Sequence, residues 1–228
     1  MPHVRRFGSR GFLVVFEGID RSGKSTQAKM VYDRLIRDGH AAELFRFPDR
    51  STTIGGILNS YLEAKNSNTR LWSPQLLHLL FSANRWEMQP KLYEALNRGA
   101  VVIVDRYSFS GILRTHASVP ITSDFCLKTE EGLLAPDLVI YLDLSPREAR
   151  LRCGFGSELY EKEGIQEKVH AAYQQFQRLP YWHSVAAGQD ATPADLHEQI
   201  YQKIKEALFT CKDASTNLPF TRKLLWDE

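Results

Sequence analysis

Gly18-Ile19-Asp20-Arg21-Ser22-Gly23-Lys24-Ser25 has the residue types and spacing of a phosphate-binding loop. Its glycines let the backbone curl so that the N–H groups of Gly18, Ser22, Gly23 and their neighbours point at phosphate oxygens. A helix starting at Lys24 presents its positive end to the same anion. Lys24 is spaced to reach the β- and γ-phosphates of a nucleoside triphosphate; Ser25, with Thr26 beside it, is spaced to offer a hydroxyl to Mg²⁺. A turn that merely joined two elements would not explain Lys-Ser after Gly23. An apolar run, Phe12 to Phe16, precedes the loop, and a second, Val101 to Val104, ends in Asp105. A carboxylate at such a strand end can face the phosphate loop across a sheet crevice and share the metal. The alternative for Asp105 is a cap on the segment that follows.

One triphosphate does not need all the guanidinium groups gathered at the same rim. Arg21 lies inside the loop, Arg50 follows Phe47-Pro48-Asp49, Arg85 follows Phe81 by four positions, and Arg106 follows Asp105. Planar forks suit phosphate oxygens and carbonyl edges better than ammonium groups do. Phe81 and Arg85 share a helical face. Together they could stack a base and read its edge, or be a buried ring beside a surface ion pair. Tyr107, Ser110 and Gly111 add an aromatic ring and a small polar turn to this rim.

Holding these groups takes elements that alternate strand and helix, the pattern of an α/β sheet covered on both faces. The apolar runs predict five parallel strands: Phe12 to Glu17, Ala42 to Phe47, Ala100 to Val104, Leu138 to Asp143, and a weaker one around His183 to Ala187. Helical spacing of Ala28, Val31, Tyr32, Leu35 and Ile36 predicts a helix from Lys24 to Asp38, stopped by Gly39. Thr192-Pro193-Ala194-Asp195 reads as the cap of a final helix with Leu196, Ile200, Ile204 and Leu208 facing the core. On that helix His197-Glu198 reads as surface. Pro74 to Arg98 is helical by composition, with Pro90 expected to kink or interrupt it after about four turns. Residues 210–228 read as a turn-rich tail.

The 228 residues, 43% hydrophobic, predict a single domain spanning the whole chain. The 29 basic and 27 acidic side chains nearly cancel without a run of one sign, so no nucleic-acid partner is implied. Cys126, Cys153 and Cys211 form neither a disulfide framework nor a zinc pattern and read as reduced thiols of a cytoplasmic protein. No stretch approaches the roughly 20 apolar residues of a membrane span. The opening Met1 to Gly11 is polar, and its Arg5, Arg6 and Arg10 leave an organelle-targeting option.

The phosphate loop with Asp20-Arg21 inside it, Phe47-Pro48-Asp49-Arg50, the stretch from Leu79 to Trp86 and the run Asp105-Arg106-Tyr107-Ser108-Phe109-Ser110-Gly111 together resemble thymidylate kinases. The resemblance spans about residues 10 to 209 and implies a three-layer α/β/α P-loop kinase fold. It also implies a reaction: ATP would phosphorylate deoxythymidine monophosphate (dTMP). Each residue then acquires an implied role. Asp20 would accept a hydrogen bond from the sugar 3′-hydroxyl, while Arg21 would reach the transferring phosphate. Arg50 and Arg106 would hold the acceptor phosphate, Phe81 would stack on thymine, and Arg85 would bond its edge. Tyr107 would lie against the sugar, Ser110 and Gly111 would line the base pocket, and a cis Phe47-Pro48 bond would set Phe47 against the substrate.

A short lid is implied over Arg152 to Glu161, with Arg152 on the nucleotide and Tyr160 on the substrate. The loop arginine and the arginine-poor lid resemble the eukaryotic and poxviral branch of the family. Arg114 departs from the aromatic residue often found there. The resemblance further implies Mg²⁺ as cofactor and a homodimer packed through helices. Two other readings of the residues are a kinase for another nucleoside monophosphate such as dUMP, and a regulatory nucleotide switch. The switch lacks support, because the chain has no Asn-Lys-x-Asp guanine-reading motif.

Overall fold

A computed structural model describes residues 11–63, 72–118, 121–152, 163–188 and 191–213, with the backbone alone at 114–118, 163 and 211–213. Along the chain run β1 (Phe12–Glu17), α1 (Lys24–Arg37), β2 (Ala42–Arg46), α2 (Thr53–Glu63), α3 (Pro74–Asn97) and β3 (Val101–Asp105). There follow α4 (Ser108–Ser118), α5 (Ser123–Glu130), β4 (Leu138–Asp143), α6 (Pro146–Arg150), α7 (Glu163–Tyr173), β5 (Trp182–Ala186) and α8 (Pro193–Asp213). All four strand pairings are parallel, and the sheet order is β2-β3-β1-β4-β5. The expected strands therefore form, with boundaries moved by at most a residue.

The central strand β1 and its neighbour β3 explain the continuous apolar runs. Every residue of β1 and β3 is buried, because helices cover both faces of the sheet. Register does the positioning. Phe16 pairs with Asp105, and Arg46 pairs with Asp105 from the other side, so the carboxyl ends of β1, β3 and β2 finish level. The loops leaving those ends carry the phosphate loop, Arg106 and the Phe47-Pro48 turn. Sequence-remote chemistry thus meets at one edge, where open α/β sheets bind ligands.

Several local expectations change in three dimensions. Helix α3 runs unbroken through Pro90, although proline leaves the Trp86 carbonyl without its helical donor. Met88 and Leu92 on either side, with Ala95 and Leu96 further on, are all buried. Packing of that order, about 1.5–3 kcal/mol for each large side chain, outweighs one lost bond. Helix α1 buries Ala28, Val31 and Leu35 as expected but leaves Ile36 46% exposed. His197 is buried rather than on the surface, its ring 5.8 Å from that of Tyr201 one turn on. Burial and Arg34 push its pKa down, which keeps the ring neutral against α1. Helix α8 continues to Asp213, into the stretch read as tail. Residues 214–228, most of the lid and the Arg114 side chain lie outside what is described. Among the described residues no helix is long and apolar enough to cross a membrane.

The cap of α8 forms as its sequence predicts: Thr192 Oγ1 accepts from the Asp195 N–H at 3.1 Å and donates to the Asp195 carboxylate at 2.6 Å. Thr192→Ala is expected to lower stability by about 1 kcal/mol. In urea titration the midpoint should fall at unchanged slope; an unaltered midpoint would show that the cap contributes nothing.

Candidate active site

The phosphate loop owes its shape to backbone that few side chains tolerate. Gly18 has φ 142°, and a Cβ there would stand 2.7 Å from the Leu142 carbonyl oxygen. Gly23 caps α1 at φ 98° with no side chain competing for the helix donors, and the first turn of α1 carries no acidic residue. The positive end of the helix dipole is therefore left for an anion. Arg21 (φ 62°) and Arg106 (φ 69°) also adopt left-handed backbone, a strained conformation for side chains of that size. Both belong to the candidate site.

A single cavity of about 440 Å³ joins the two halves of the site. Asp20, Arg21, Gly23, Lys24, Ser25, Thr26 and Arg152 line it from the phosphate-loop side, and Phe47, Arg50, Phe81 and Arg106 from the other. The Lys24 ammonium is buried, donating to the Ile19 carbonyl and, at 3.0 Å, to Ser22 Oγ. Arg152 ties the loop to the end of β5 by donating 2.8 Å to the Arg21 carbonyl and 2.7 Å to that of Ala187.

Arg106 is the hinge between the halves. Its guanidinium donates to the Gly18 carbonyl at 3.3 Å and to Asp20 Oδ1. Burial works against its charge, but Asp20 first, with Asp105 and Glu17, raises its pKa above the ordinary arginine value, so the group stays cationic. Behind it stands Glu17, wholly buried at the end of β1. Glu17 accepts from the Tyr107 N–H at 2.9 Å, the Ser110 N–H at 3.2 Å, the Ser110 hydroxyl and the Tyr173 hydroxyl at 2.8 Å. Burial first, then the Glu17 charge, pushes the Tyr173 phenol well above its usual range and keeps it a proton donor. These bonds hold the turn after β3 in its left-handed start.

Asp105 and Ser25 meet as a hard-oxygen pair: Ser25 Oγ donates to Asp105 Oδ2 at 2.5 Å. Asp105 Oδ1 is buried without a hydrogen-bond partner among the described residues. An orphaned carboxylate oxygen beside a hydroxyl is a donor set that fits a hard divalent cation. Arg46, which sequence reasoning overlooked, also lines the cavity with Nε 3.6 Å from Asp105 Oδ2.

The side of the cavity opposite the phosphate loop is braced by Asn84. Its side chain accepts from the Asp49 N–H at 2.8 Å and donates to the Asp49 carbonyl at 3.2 Å and to Thr52 Oγ1 at 2.9 Å. Gly55 packs beneath, where a Cβ would come within 1.7 Å of the Asp49 carbonyl oxygen. The Phe47-Pro48 bond is cis, and Phe47 packs on Tyr107 with ring centroids 5.8 Å apart. Arg50 is exposed and donates to Asn59 Oδ1 at 3.1 Å.

Other expected residues lie behind the cavity wall rather than on it. Ser110 is committed to the Glu17 network. Arg85 is buried and gives Nε at 2.6 Å and Nη2 to the Glu130 carboxylate, a pair that sequence could not foresee across 45 positions. Gly111 permits this, since a Cβ there would stand 2.7 Å from the guanidinium. Tyr160 lies outside the described residues. Overlooked too were Gln166 and Tyr173 of α7, which no sequence signal marks, and Glu17, which one does: a charged residue closing a strand otherwise made of apolar side chains.

A family model described as thymidylate kinase matches residues 16–200. A thymidylate kinase of Homo sapiens is 40% identical over 206 residues, covering 90% of this chain and 94% of that protein. One from Schizosaccharomyces pombe is 46% identical over 170 residues, covering 75% and 79%. A solved structure of thymidylate kinase from Candida albicans superposes with a TM-score of 0.80 at 33% identity, over 95% of this chain and 98% of that one.

The Glu130–Arg85 pair is testable as a structural element. Burial raises the Glu130 carboxyl, but the Arg85 charge, the Arg85 bonds and the Ser108 hydroxyl hold it below the usual carboxylate range. A depressed folded pKa stabilises the protein above the unfolded value near 4.3 and loses that contribution as pH falls through the folded value. Glu130→Gln is expected to cost about 3–5 kcal/mol at neutral pH, because it leaves Arg85 buried with an uncharged partner. Denaturant titration across pH should also show a shallower acid limb in the variant; parallel limbs would show that the carboxylate is not ionised in the fold.

Proposed function

Because this chain belongs to the thymidylate kinase family, we infer that it phosphorylates dTMP to the diphosphate, using ATP as donor. The observation that carries this reading is the single cavity in which Lys24 and Arg21 stand on one side and Arg50, Phe81 and Arg106 on the other. A nucleotide switch has no use for the second half.

The transfer is direct and in line. The acceptor phosphate already carries an anionic oxygen, so no side-chain nucleophile is needed; the difficulty is bringing two anions together. Lys24 and the loop N–H groups hold the donor phosphates, and Arg21 follows the group in flight. Arg106 and Arg50 neutralise the acceptor, Arg106 being fixed in advance by Asp20 and Gly18 so that little reorganisation accompanies reaction. Phe81 takes the thymine ring, and Asp20 takes the sugar. Ser25 and Asp105 would hold Mg²⁺, which would supply further charge neutralisation.

The α3 surface supports the homodimer. Leu79, Trp86 and Tyr93 follow one another at intervals of seven and are 44%, 39% and 36% exposed, with Leu76 and, on α2, Ile57 similarly exposed at 42% and 41%. An apolar stripe of this kind on a helix suits a partner helix. The reading includes a cytoplasmic location, in keeping with cysteines that form no disulfide framework in the sequence.

Two experiments bear on this reading. A panel of acceptors, dTMP, dUMP and a purine monophosphate, should give ATP consumption that depends on dTMP most strongly; acceptor-independent hydrolysis would refute the transferase assignment. Within that assay Arg21→Ala should lower kcat by about 10²–10³-fold while the affinity for ATP changes little, and undiminished turnover would remove Arg21 from the transfer step. For the dimer, Leu79→Glu should shift the sedimentation coefficient to that of a monomer; a wild-type protein that already sediments as a monomer would end that part of the proposal.

A further inference from the structure

Gln166 is 1% exposed on α7, and its carboxamide makes a two-point clasp on one residue of the phosphate loop. The Asp20 N–H donates to Oε1 at 3.0 Å, and Nε2 donates to Asp20 Oδ2 at 2.8 Å. The amide orientation is dictated by chemistry, since an N–H requires the oxygen and a carboxylate requires the nitrogen. The other carboxylate oxygen, Oδ1, is held by Arg106. The plane of the Asp20 carboxylate is therefore fixed from two sides, by an amide and by the guanidinium that faces the acceptor half of the cavity. Asp20 itself lines that cavity.

Helix α7 is a rigid mount for this clasp. Gln166, His170 and Tyr173 lie on one face at i, i+4 and i+7. His170 bonds Asp143 at the end of β4 at 2.9 Å, and Tyr173 bonds Glu17 at the end of β1. The helix is thereby tied to two strand ends that flank the phosphate loop. A clasp that holds both the backbone and the side chain of one residue does more than pack: it sets the direction in which the carboxylate meets a ligand.

We propose that Gln166 is a positioning residue for recognition of the acceptor sugar: it aims the Asp20 carboxylate so that acceptors bearing a 3′-hydroxyl are preferred over those lacking one. This rests on the reading that Asp20 is the sugar ligand. The selectivity then lives in a residue outside the cavity. It is set by a neutral amide, which can donate to the carboxylate without consuming its charge.

Gln166→Ala removes both bonds. Gln166→Glu keeps the volume and can still accept from the Asp20 N–H, but when ionised it cannot donate and sets two carboxylates against each other, so the comparison is made at alkaline pH. For both variants the KM for dTMP is expected to rise roughly tenfold or more, with the KM for ATP unchanged and the KM for 3′-deoxythymidine monophosphate within about twofold of wild type. Glu should be no better than Ala, whereas a space-filling role predicts that Glu rescues. Thermal unfolding of each variant establishes that the protein compared is folded, and Gln166→Ala carries the test if Gln166→Glu does not fold. Asp20→Asn is measured alongside. If Asp20→Asn loses the 3′-hydroxyl preference while the Gln166 variants keep it, or weaken both acceptors equally, Gln166 has no part in sugar recognition and the proposal falls. Should Asp20→Asn retain the preference, the fault lies earlier, in the assignment of Asp20 as sugar ligand, and the proposal falls with it.

Discussion

The cleft depends on one guanidinium held among carboxylates. Arg106 begins the turn after β3 in left-handed backbone, gives one side of its fork to the Gly18 carbonyl and to Asp20, and stands in front of the buried Glu17. A half-buried cation without such partners would be drawn out toward water, because desolvating an unpaired charge is costly. Here the partners are the phosphate loop itself. The group that would hold the acceptor phosphate is therefore fastened to the loop that would hold the donor, and the two halves of the site keep a constant separation.

The same arrangement recurs around the cavity at different depths. Lys24 is buried against oxygen atoms of its own loop, and Arg85 is buried against Glu130. Arg50 is exposed and donates to Asn59. Cations with fixed partners cannot collapse onto one another's ligands. Preorganisation of this kind is what phosphoryl transfer asks of a protein, since charge must be matched where it develops and not merely nearby. The fold supplies it through level strand ends and through α7, whose Gln166, Tyr173 and His170 reach Asp20, Glu17 and Asp143 from a single face.

Much of this was legible before any coordinates. The glycines of the phosphate loop, Lys24, Ser25 and Asp105 carry their chemistry in type and spacing, and apolar runs such as Val101 to Val104 announce a doubly covered parallel sheet. Less legible were features in which burial overrides a local rule. Pro90 sits inside a continuous α3 because the helix is packed on both sides of it, and His197 is buried because α8 presents a wider face to α1 than its aliphatic residues mark. Least legible were the long-range polar partners. Nothing in the neighbourhood of Gln166 or Glu130 signals that each grips a residue more than 40 positions away, because a hydrogen bond needs only proximity and leaves no periodic trace.

The sequence by itself determined the phosphate-loop pattern, the positions of Ser25 and Asp105 after their elements, the strand content and the family. Those follow from local backbone geometry and from periodic burial, both of which are written in consecutive residues. Tertiary structure alone decided which arginines face the cavity and which are spent on buried carboxylates. It also decided that Arg46 reaches the Asp105 carboxylate and that Asp20 is clasped from α7. The reason is physical: the destination of a long charged side chain is settled by which opposite charge the fold brings within about 3 Å, and that distance is a property of the packed sheet, not of the chain.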